Sequence, residues 1–180
     1  MGTKLPLYGY IDPDATGVKA LEENDFRPIP TRGQQRNALD GFLNYLSRPD
    51  VQSLAYSLIL DEFDASREVW CRGVVREEGG ATRTNLLQLL ETIRGRGTIV
   101  VPTVDDLVEH KSREVAHALK RILKDKVTVL AIYDRESPLC FFTEANQRAD
   151  DRVFSAMAAN VLSVRTTLEA VSNNRKKWRF

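Results

Sequence analysis

From residue 69 to residue 133 the chain alternates short, unbroken apolar runs with segments whose apolar residues recur at helical spacing. Few architectures accommodate that alternation. Residues 69–75 read as a strand. Residues 85–93 read as a helix with Leu86, Leu89, Leu90 and Ile93 on one stripe, stopped by Gly95-Arg96-Gly97. Residues 98–101 form a strand whose Ile-Val-Val run predicts burial on both faces. Residues 112–124 form a helix with Val115, Leu119, Ile122 and Leu123 inside, and residues 127–132 form another apolar strand. Strands that alternate with helices make βαβ units. The expected fold is therefore α/β, with three layers, a mainly parallel sheet and helices on both faces.

The flanking segments add to this frame. Leu7-Tyr8-Gly9-Tyr10-Ile11 is aromatic and β-branched and runs into Asp12-Pro13-Asp14-Ala15-Thr16-Gly17, as a buried strand entering a polar loop does. Residues 19–36 hold no period and are punctuated by Pro28, Pro30 and Gly33, so an irregular excursion is expected there. A helix fits 34–46, with Ala38, Leu39, Phe42 and Leu46 aligned. Asp50 caps a further one running to about residue 64, with Leu54, Leu58, Ile59 and Phe63 apolar. A long amphipathic helix covers 151–172. Its Met157, Val161, Val164, Leu168 and Val171 are spaced 4, 3, 4, 3, a heptad-like seam. That seam suits a partner helix, and equally suits one face of the chain's own sheet.

Composition narrows the function classes. With 26 Lys and Arg against 25 Asp and Glu, the 180-residue chain is neither a generally basic nucleic-acid binder nor an acidic disordered polymer. A hydrophobic content of 42% is enough for a folded core without staples. Cys71 and Cys140 are far apart and in no C-x-x-C spacing, which excludes a disulfide scaffold and a zinc ribbon and makes a reducing cytoplasm the expected setting. Both cysteines read as small buried hydrophobes. No apolar run reaches the ~18 residues of a membrane span, and the first residues carry no signal-peptide core. A cytoplasmic protein that does not enter the membrane is expected.

Three stretches, in order, carry a resemblance. They are Glu77-Glu78-Gly79-Gly80-Ala81-Thr82-Arg83 through Leu89-Leu90, then Thr98-Ile99-Val100-Val101-Pro102-Thr103-Val104-Asp105-Asp106-Leu107, then Val127-Thr128-Val129-Leu130-Ala131-Ile132-Tyr133-Asp134. Together with Tyr8-Gly9-Tyr10-Ile11 and the long last helix, they resemble the catalytic domain of serine recombinases, the resolvase/invertase family. The resemblance implies a resolvase-like α/β domain over 1–150, in which the part around 16–49 finds no counterpart and reads as an insertion, and a dimerisation helix over 151–172; by its own charge, 173–180 reads as a basic tail. It also implies a homodimer, with Met157, Val161, Val164, Leu168 and Val171 at the contact.

The family's catalytic residues do not carry over. Where the resemblance places an arginine and the serine nucleophile after the first strand, this chain has Asp12 and Asp14. Where it places an Asp-Arg-Leu-x-x-Arg run, this chain has Asp105, then Asp106 and Glu109 in the arginine places. Serine attack on a phosphodiester needs a hydroxyl nucleophile and cations around the phosphoryl oxygens. Two unit charges 4 Å apart interact by roughly 4 kcal/mol at an effective dielectric of 20, so acids in those places repel the phosphate. The expectation is a catalytically inactive serine-recombinase-like protein with no cation beside Asp12. It would act by self-association and by binding DNA, a recombinase or another protein, as a regulator of recombination or transcription.

Two enzyme readings stand as alternatives. Asp12-x-Asp14-x-Thr16 after a buried strand resembles the first motif of the haloacid-dehalogenase phosphatases, which implies Mg2+ on Asp12, Asp14 and Asp105. The other is an active recombinase with a relocated nucleophile, for which Ser47, Ser53, Ser57 and Ser66 are the distant candidates. His110 and His117 are seven apart, which is not a metal-binding spacing on a helix. For nucleic acid, the local basic patch expected is Arg175, Lys176, Lys177 and Arg179, with Trp178 interleaved.

Overall fold

The computed structural model describes residues 5–12, 15, 21–22, 26, 28–48, 50–51, 69–76, 84–93, 97–109, 112–125, 127–142 and 151–174. Strand β1 (Leu5–Ile11) is followed by helix α1 (Arg32–Leu46), β2 (Val69–Arg76), α2 (Thr84–Ile93) and β3 (Thr98–Val101). Then come the single turn of α3 (Asp105–Val108), α4 (Arg113–Lys124), β4 (Thr128–Ala131), a 3-10 turn (Cys140–Phe142) and α5 (Asp151–Asn174). The four strands form one all-parallel sheet in the order β2-β1-β3-β4. The chain steps from β1 to β2 on one side, then crosses back over β1 to lay down β3 on the other. The adjacent carboxyl ends of β1 and β3 are therefore the sheet's switch point, the place where open parallel sheets form a crevice.

Side chains along each strand alternate between two cores. Leu7, Ile11, Val100, Leu130 and Ile132 pack on one face with Leu39, Phe42, Leu43 and Leu46 of α1. Tyr10, Ile99, Val101, Val129 and Ala131 pack on the other with Leu86 and Leu90 of α2 and Val115, Leu119 and Ile122 of α4. The α/β class, the parallel sheet, its two-sided helical cover and the long C-terminal helix agree with the sequence reading. No helix of the described residues is long and apolar enough to cross a membrane.

Three expectations change. First, α1 begins at Arg32, two residues early. Thr31 caps it: its hydroxyl accepts from Gln34 N at 3.1 Å, and the Gln34 side chain accepts from Thr31 N at 2.9 Å. Second, the supposed insertion at 16–49 contains a layer of the fold. Leu39 and Phe42 are wholly buried, and each such side chain is worth ~1.5–3 kcal/mol. Of the next expected helix only Asp50 and Val51 are described, both helical; residues 52–64 lie outside the described residues.

Third, the seam of α5 faces the chain's own interior. Val153, Phe154 and Met157 belong to the α1 core, with Val161 packed against it. Val164 and Leu168 belong to the opposite core, with Val171 packed against it. The helix thus passes from one face of the sheet to the other across the β4 edge. At the crossing sits Asn160, itself buried, whose Oδ1 accepts from Ala131 N at 3.0 Å while its Nδ2 donates to Ala131 O and Ser137 O, each at 2.7 Å. Beside it, Ser163 Oγ donates to Asp134 Oδ2 at 2.8 Å, and Asp134 also accepts from Glu136 N and Ser137 N. The amide occupies hydrogen-bonding positions that a fifth strand would otherwise use. Met157, Val164 and Leu168 are therefore buried in the chain's own two cores, while Val161 and Val171 are half-buried.

Candidate functional site

Asp12 follows β1 and Asp106 lies in α3, just after β3, so the two meet at the switch point. Both are buried. Asp106 is held from several directions. Its Oδ1 accepts from Asp12 N at 3.0 Å and from Arg32 at 2.6 Å. Its Oδ2 accepts from Thr103 N at 3.1 Å, Thr103 Oγ1 at 3.0 Å and Arg32 at 3.4 Å. Burial pushes the Asp106 carboxyl above its ordinary value, and the Arg32 pair and the Asp12 and Thr103 amides pull the other way.

The cation comes from α1. Arg32 donates one nitrogen to both Asp106 and the Asp12 carbonyl, the latter at 2.8 Å, and the other to Gln35 Oε1 at 2.5 Å. Gln35, wholly buried one turn along, fixes the guanidinium and donates onward to Pro30 O at 3.2 Å. Arg32 Nε is buried and meets no acceptor among the described residues. The expectation of no cation beside Asp12 is therefore overturned. Sequence matching placed Arg32 in an unmatched segment, but capping at Thr31 turns it inward at the head of α1's buried stripe.

The other candidates are dispersed. Asp105 on α3 and Glu109 just beyond it are half-buried, while Asp14 and the whole basic tail from Arg175 to Arg179 lie outside the described residues. Among the described residues no group of three or more His, Cys, Asp or Glu is placed to hold a metal ion. Asp106 directs both its oxygens at protein donors. Burial pushes the half-buried Cys140 thiol up to about 11, which keeps it protonated at neutral pH and a poor nucleophile. Among the described residues, the switch point thus holds an internal ion pair, a Gln and a Thr hydroxyl.

A signal for the missed residues was present. Arg32, Gln35, Leu39, Phe42 and Leu46 are spaced 3, 4, 3, 4, so the two polar residues head an apolar stripe and must point inward. Asn160 interrupts the stripe of α5 in the same way.

No protein-family model matches the chain, and no curated protein matches it. Among solved structures it is similar to the crystal structure of a resolvase family site-specific recombinase from Streptococcus pneumoniae. The two share 12% identity over 96% of this chain and 97% of that one, with a TM-score of 0.40. A likeness at that level of superposition identifies neither a shared site nor a shared activity. The fold and site define an α/β domain with a buried ion pair at the carboxyl ends of β1 and β3.

Proposed function

We propose that the chain is a non-cleaving serine-recombinase-like protein that acts by self-association and by binding DNA or a protein partner. The observation that carries this reading is the Arg32–Asp106 pair at 2.6 Å in the switch-point crevice. A cleaving site needs a nucleophile and cations aimed outward at a phosphoryl group. Here the arginine is aimed inward, and its charge is neutralised by a fully buried carboxylate with Asp12 beside it. Committed to Asp106 in this way, the guanidinium is not directed at an approaching phosphate. Self-association then runs through a surface other than the 157–168 seam, which the chain's own core occupies.

The test is covalent trapping. The protein is incubated with supercoiled and linear DNA of many sequences and run on denaturing gels. No protein-linked DNA is expected. A detergent-resistant protein–DNA band would overturn the reading.

A further inference from the structure

We draw no further inference here: the strongest candidate, the outward face of α5 where the exposed Leu162 stands among Ser155, Ala159, Thr166 and Ala170, is a stripe of mostly small side chains, and nothing in the structure shows what covers it.

Discussion

At the carboxyl ends of β1 and β3, a helix is fastened to the sheet by a buried ion pair; along the edge of β4, another is fastened by a neutral amide. Asp106 and Asn160 are both buried and both bind main-chain groups of the sheet or its loops. They differ in cost. Asn160 exchanges hydrogen bonds to water for three to protein, a nearly even trade that leaves a net gain of about 1 kcal/mol each. Asp106 must also shed the hydration of a charge, and its pairing with Arg32 returns only part of that penalty. The amide is the simpler fastener, so the charged one stands out at the place where a parallel sheet would otherwise open a crevice for a ligand.

The largest effect is expected from Asp106→Ala. It strands the Arg32 guanidinium and the Asp12 and Thr103 amides, and loss of one partner of a buried pair costs ~3–5 kcal/mol. The Arg32 side chain is 26% exposed and can rehydrate, which places the loss near ~3 kcal/mol in urea unfolding. Arg32→Met combined with Asp106→Leu should be less damaging than Asp106→Ala alone; an additive loss would show that the charges themselves stabilise the fold. Asn160→Ala comes next, at about 2–3 kcal/mol for three hydrogen bonds and the Ala131 groups left behind. A loss below that of an ordinary surface change would show that α5 is held by its apolar contacts alone.

The smallest effect separates the two fasteners by pH. The folded Asp106 carboxyl is raised above its unfolded value of ~3.9 by burial, against the pull of Arg32. Folding therefore favours its protonated form. That contribution is fully present below ~3.9 and is lost as pH rises through the raised folded value. The stability of the wild type relative to Asp106→Asn should fall as pH rises above ~4, while the difference between wild type and Asn160→Ala stays flat. A rising difference for Asp106 would mean that Arg32 outweighs burial.

The sheet was legible because β3 and β4 are apolar on both faces and α2 and α4 carry regular stripes. Those signals are local. What was not legible came from distance. Arg32 and Asp106 are 74 residues apart, and no periodicity links them. The seam of α5 was readable as apolar but not as to its partner, since the same 4-3-4-3 spacing serves a second helix or an interior. Only the interruption at Asn160 distinguishes the two, and it has meaning once β4 is known to lie beneath it. The acids at 12 and 106 were placed correctly at strand ends. Their neutralisation was hidden in a segment that matched nothing.

Because α5 belongs to both cores, neither can be completed without it. A ribosome-bound chain that has emerged only as far as residue 142 holds all four strands, yet each face lacks part of its wall and the β4 edge is unsealed. Until residues 151–174 emerge, the β4 edge and the two half-covered faces stay open to unwanted pairing.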